Sequence, residues 1–152
     1  MSALAPKLSL VIRTGPHICA LRLADVVETM RSRPIEPLGG APEVVRGLSV
    51  IRGVPVPVVD LAKLLGGGDY SAPTRFVTLR TGERSVALSV DAVLGIRDIA
   101  PAMQTDLPPL LRDARPDIVE AVSTLDGDLL LVLKAARLLP EEAWNLLASQ
   151  EE

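Results

Sequence analysis

The chain has 152 residues, 48% of them hydrophobic, with a formal net charge of −3, one Cys, one His and one each of Phe, Tyr and Trp. That apolar share supports a packed core, and a lone cysteine excludes an internal disulfide framework and fits a reducing compartment. The acidic balance and few aromatics offer neither a stripe that neutralises phosphates nor a platform that stacks bases, which argues against nucleic acid.

No apolar run approaches the ~18 residues of a membrane span. The run at 8–12 is cut by Arg13 with no small-residue cleavage site behind it, so a soluble cytoplasmic protein is expected. Thirteen prolines and eleven glycines fall at short intervals along the chain, predicting many short elements.

In chain order, alternating apolar residues predict a first strand at 7–12, followed by a turn at Thr14-Gly15 and a strand carrying His17 and Cys19 on one face. Residues 24–30 read as a helical crossover with Glu28 near its end. Arg52-Gly53 reads as a turn leading into a strand at 54–59. A short helix at 61–65 then leaves through Gly66-Gly67-Gly68. That glycine run lacks the Lys-Ser/Thr of a phosphate loop and precedes Asp69.

Strands are predicted at 75–79 and 85–90, around Thr81-Gly82-Glu83, and a Pro-rich connector covers 96–117. Asp126-Gly127, whose residues tolerate positive φ, predicts a hairpin into a strand at 129–133. A final helix is expected at 141–149, with Pro140 at its first position and Trp144, Leu147 and Ala148 on one face. Trp144 is read as a packing anchor.

Sliding the chain on itself reveals a duplication. Ala5-Pro6, Arg13-Thr14-Gly15, Ala20-Leu21 and Val26 recur 67 residues later as Ala72-Pro73, Arg80-Thr81-Gly82, Ala87-Leu88 and Val93. Val45, Ser49, Gly53, Val58, Ala62 and Leu64-Leu65 recur 74 residues later as Val119, Ser123, Gly127, Val132, Ala136 and Leu138-Leu139. The change of offset places extra residues in the connector. Halves at about 5–71 and 72–139, each with about five strands, fit a pair of small SH3-like β-barrels lying side by side with a groove between them. Together they form one domain at 5–140, followed by a helix and tail at 141–152.

The repeat also tests for catalysis. A two-fold acid protease needs symmetric aspartates, yet Asp60, Asp91 and Asp126 correspond to Lys134, Ala24 and Arg52. One His and one Cys cannot make a tetrahedral metal site. A Cys19–His17 nucleophile remains the alternative from another class, a small hydrolase, set against a core Cys beside a turn His. A purely structural, self-associating barrel is a third reading. No metal or cofactor is expected.

The segment Ala41-Pro-Glu-Val-Val-Arg-Gly-Leu-Ser-Val-Ile-Arg-Gly-Val-Pro-Val-Pro-Val-Val-Asp-Leu61 is supported by Val86-Ala-Leu-Ser-Val-Asp-Ala-Val-Leu94 and Thr124-Leu-Asp-Gly-Asp-Leu-Leu-Leu-Val-Leu133. In this order, over residues about 7–140, these segments resemble the CheW-like domain family. The resemblance implies two intertwined five-stranded SH3-like barrels in a mostly β fold, and a non-enzymatic adaptor in chemoreceptor arrays of the cytoplasm. Its partners would be the cytoplasmic hairpin of a methyl-accepting chemoreceptor, docked between the barrels, and the regulatory domain of a CheA-type histidine kinase, packed on a barrel end.

By position, Arg52 matches the Arg of the family's Leu-Arg-Gly motif, Glu28 and Val27 match a segment bordering the receptor groove, and Arg46 matches a basic or polar residue before the signature Gly. Met30 and Val50 are expected to line the groove with Val27. Val50, Ala121 and Lys134 depart from the family's usual Asn, Gly and Asp. These departures support a variant reading: a divergent adaptor, as in an accessory or gliding-motility system, that binds receptor but engages the kinase weakly or not at all.

Overall fold

The computed structural model describes residues 8–66, 73–99, 118–139, 141 and 143–145. The expected strand start at Lys7, the glycine exit at Gly67-Gly68 and most of the Pro-rich connector lie outside these residues, as do Pro140 and 146–149 of the C-terminal helix.

Among the described residues the chain forms ten strands. The first five are β1 (Leu8–Thr14), β2 (His17–Arg22), β3 (Val26–Arg31), β4 (Val45–Ile51) and β5 (Val54–Asp60). The second five are β6 (Arg75–Thr81), β7 (Arg84–Val90), β8 (Ala92–Asp98), β9 (Val119–Leu125) and β10 (Asp128–Leu133). A one-turn helix α1 (Leu61–Leu64) follows β5, and 3-10 turns occupy Leu23–Asp25 and Ala135–Arg137. The strands make two five-stranded sheets, ordered β8-β1-β2-β10-β9 and β3-β6-β7-β5-β4.

The offsets of 67 and 74 carry β1–β5 onto β6–β10, so the two sheets are the same pattern written twice. Each sheet draws strands from both halves of the sequence. The halves therefore do not lie side by side as separate barrels; they exchange β3, β4 and β5 for β8, β9 and β10. Two parallel seams knit the exchange, with Val58 beside Ala87 and, at the repeated positions, Val132 beside Ala20.

The turns are conformational rather than incidental. Arg52 and Asp126 have φ of 51° and 52° and are followed by Gly53 and Gly127 at 80° and 88°. Two successive positive φ values give the primed turn whose twist matches that of the strands it joins.

The segment predicted as a helix at 24–30 is instead the strand β3, entered through the 3-10 turn at Leu23–Asp25. Its Val26, Thr29 and Arg31 pair with Leu79, Val77 and Arg75 of β6. The register slips between Val26 and Glu28, so Val27 bulges out. The bulge sets two valines side by side and erases the period of two by which a strand is read.

Central strands are buried on both faces. One face, including Leu10, Ile12, Cys19, Leu79 and Leu88, joins a single core between the sheets. The other fills each barrel: Val11, Ala20, Leu130 and Val132 in one, Ile51, Val56, Val58, Phe76 and Ala87 in the other. The chain after β3 wraps back onto β4, where Glu36 and Leu48 exchange backbone hydrogen bonds of 2.8 and 2.9 Å, and this closes the second sheet toward a barrel. Gly47 makes the closure possible, because a Cβ there would collide with the Glu36 carbonyl.

The C-terminal segment is helical at 141 and 143–145. Trp144 packs on the inter-sheet core as expected, and Arg84 holds it there. The guanidinium donates twice to Glu141, at 3.1 Å each, and lies 4.8 Å from the Trp144 ring centroid.

Candidate functional site

Arg52 and Glu28, 24 residues apart, meet. Arg52 stands at the tip of the β4–β5 hairpin and Glu28 just past the bulge of β3, and the guanidinium grips the carboxylate with both arms, Nε to Oε2 at 2.6 Å and a terminal nitrogen to Oε1 at 2.9 Å. This fork-to-fork geometry is the strong form of an ion pair. The hydrogen bond from Arg52 holds Glu28 below the ordinary carboxylate pKa, and Glu28 in turn raises Arg52.

Glu28 is further seated by its backbone: its N–H donates to the Thr78 hydroxyl, and that hydroxyl donates to the Glu28 carbonyl, both at 3.2 Å. Arg52 reaches the pair from a left-handed backbone position that Gly, Asn or Asp occupies more easily. Such strain is characteristic of sites where the side chain itself is needed.

Val27 and Val50 flank the pair and are 58% and 59% exposed; Val54, across the turn, is exposed as well. The Val50 carbonyl accepts from Arg33 Nε at 3.2 Å, so the backbone there is held by an Arg side chain. Met30 faces inward instead and packs against the barrel interior beside Phe76. Arg46 lies near the opposite end of β4 and donates to Ser89 Oγ at 2.9 Å, so it belongs to a separate neighbourhood. Of the six expected residues, then, Arg52, Glu28, Val27 and Val50 share one surface at a barrel end, Met30 supports it from beneath, and Arg46 stands apart.

A second exposed apolar surface was not anticipated. Leu8 shares its face of β1 with Leu10 and Ile12, and Ile96 pairs directly with Leu10. Both lie on the strand face that carries core residues, yet they are 52% and 54% exposed. With the bulged Leu94 of β8 they make an exposed apolar rim on the β1–β8 edge. At the repeated positions the chain has Arg75, Thr29 and Val27, so only one side of the molecule carries the fully apolar rim. In the sequence these two leucines and the isoleucine are indistinguishable from core positions.

Cys19 is sealed in the inter-sheet core, and burial pushes its thiol up to about 12. That is opposite to the depressed value a cysteine nucleophile needs. Burial lowers His17. Asp91, one of the aspartates weighed for a dyad, instead fastens the first turn: its Oδ2 accepts from Gly15 N–H at 2.9 Å and its own N–H donates to the Arg13 carbonyl at 2.9 Å. No group of three or more potential metal ligands occurs among the described residues.

A model of the CheW-like domain matches residues 9–143. The chain belongs to the CheW-like family. It is 31% identical over 118 residues to Protein FrzA of Myxococcus xanthus, covering 76% of this chain and 73% of that one. It is also 24% identical over 135 residues to Chemotaxis protein CheW of Rhizobium meliloti, covering 88% and 87%. In three dimensions it matches the scaffolding protein TtCheW from Thermoanaerobacter tengcongensis with a TM-score of 0.77 at 26% identity, over 86% of this chain and 90% of that one.

The departures from the CheW-like pattern acquire structural meaning. Asp60 caps α1, its Oδ1 accepting from Lys63 N–H at 3.2 Å. Lys134, the repeated position, leads into a 3-10 turn with no side-chain cap. Gly47 of the first half is obligatory, whereas its repeat, Ala121, is a buried part of the other barrel's core.

Proposed function

We propose that the chain is a non-enzymatic coupling adaptor that holds a chemoreceptor hairpin and a CheA-type kinase regulatory domain in a cytoplasmic array. The observation that carries this reading is the presence of two separate apolar surfaces on one duplicated scaffold: the rim of Leu8, Leu94 and Ile96, and the barrel end of Val27, Val50 and the Arg52–Glu28 pair. The rim is an exposed apolar strip on the β1–β8 edge, and a paired-helix tip can lay its own apolar stripe against it. The barrel end sets exposed valines beside a charged fork, suited to the end of another small barrel. Each contact is small and individually weak, and an array multiplies them through effective concentration.

The test is pairwise titration of the full chain against a receptor cytoplasmic fragment and a kinase regulatory domain. Ile96→Lys is expected to weaken receptor binding on the order of tenfold, the loss of one buried apolar contact, and to spare the kinase. Arg52→Glu, which sets two carboxylates face to face, is expected to do the reverse. Loss of receptor binding in Arg52→Glu alone would move the receptor to the barrel end. The variant reading, an adaptor that engages the kinase weakly, rests on Lys134 at a barrel end and predicts that the wild-type chain binds receptor but barely titrates with the kinase.

A further inference from the structure

The repeat exposes a place where one half supplies a negative charge and the other lacks it. At the end of β5 Asp60 is 9% exposed, and its carboxylate accepts a backbone N–H. The repeated residue beside β10 is Lys134, whose backbone dihedrals, φ −93° and ψ 104°, nearly match the −81° and 101° of Asp60. Next to Lys134 the surface opens into a cavity of about 360 Å³, whose charged lining is Arg22, Arg80, Lys134 and Arg137 against Asp25 and Glu120.

Arg22 satisfies Glu120 at 3.2 Å, and Arg80 spends only its Nε, on the Gly82 carbonyl at 3.2 Å. Lys134 has no ion-pair or hydrogen-bond partner from its side chain among the described residues, and Arg137 is left with only a through-space attraction to Glu141. A chain with net charge −3 thus carries a concave site with an excess of two positive charges.

We infer that this cavity accepts a carboxylate from an acidic polypeptide segment of a partner protein, which takes the place that Asp60 fills from within at the repeated position. The cations converge from β2, β6 and the turn after β10, so the site is assembled by the strand exchange and exists only in the folded duplex of halves. The site is defined by charge and by the repeat, and it shares Lys134 with the reading in which the kinase is engaged weakly.

Amide chemical shifts of the full chain, titrated with an acidic peptide of alternating Asp and Gly, test the assignment. Saturable shifts are expected at Gly82, Ala135 and Ala136, weakening as salt rises, with none from the matching Asn-Gly peptide. Lys134→Asp returns a carboxylate of the chain's own to the site and is expected to abolish the shifts. Arg137→Gln is expected to weaken binding on the order of tenfold, the loss of one charge-assisted contact, and serves should Lys134→Asp fail to fold. Equal shifts with the Asn-Gly peptide, or undiminished binding in both variants, would overturn the assignment. So would inorganic phosphate that saturates the same amides and cannot be displaced by the peptide, since the site would then be one for small anions.

Discussion

The two hairpin tips occupy equivalent places in the duplicated fold and differ in charge and grip. Arg52 in one is bound bidentately to Glu28 at 2.6 and 2.9 Å, whereas Asp126 in the other makes one 3.4 Å contact to Arg97. Arg97 is the repeat of Met30, so the second tip found its counterion two residues further along the neighbouring strand. Backbone geometry is retained at both tips while side-chain chemistry has diverged. A duplicated scaffold keeps what folding requires, the positive-φ turn and the parallel seams, and frees everything else to distinguish one partner surface from another.

The largest effect that sharpens this comparison lies at Gly47 and Ala121, the same position in the two halves. Gly47→Ala drives a methyl into the Glu36 carbonyl at a φ of 144°. It is expected to cost about 3 kcal/mol through overpacking and backbone strain. Ala121→Gly removes one buried methyl and adds chain freedom, for about 1 kcal/mol. Denaturant melts of the two variants measure both. Equal losses would mean that the closures of the two barrels are alike and that this chain's departure from the family pattern at Ala121 has no structural content.

A smaller effect concerns Arg84 and its repeat, His17. Arg84 fastens the C-terminal segment through Glu141 and the Trp144 face, whereas His17 sits at the same place on β2 without a comparable clamp among the described residues. Because Trp144 is the single tryptophan of the chain, its emission reports docking directly. Arg84→Ala is expected to shift that emission to the red with the barrels still folded, and His17→Ala to leave it unchanged. An unshifted spectrum in Arg84→Ala would assign the anchoring to apolar packing alone.

How much of this was legible beforehand depended on range. Turn chemistry is local, and Arg52-Gly53 and Asp126-Gly127 announced their hairpins; alternation placed β1, β2, β5, β6, β7 and β10, and the repeat offsets gave two halves of about five strands without placing β3, β4, β8 or β9. What escaped was long-range or irregular. The bulge at Val27 made β3 read as a helix, because adjacent valines break the alternation. Which half's strands join which sheet is decided by inter-sheet packing and leaves no mark in either repeat alone, so the exchange was missed by periodicity and entered only through the family resemblance. Arg52 and Glu28 were named on that resemblance, and their contact is a product of barrel closure. Leu8 and Ile96 were missed because an apolar residue at the end of a core face has the same pattern as one within it.

The finest test returns to the first tip. Glu28 is held below the ordinary glutamate range by its hydrogen bond from Arg52. Its share of the tip's integrity is therefore complete above that range and fades as pH falls through the lower folded-state midpoint. Carbon-detected titration of the Glu28 carboxyl is expected to show a lower midpoint in the wild-type chain than in Arg52→Gln, with β3 amides next to Val27 moving in step. Both side chains are solvent-facing, so high salt should narrow the gap between the two midpoints. If the midpoints coincide at low salt, the bidentate grip is not maintained in solution. The contrast with the Asp126 tip would then rest on the sign of the charge and no longer on how firmly each tip is held.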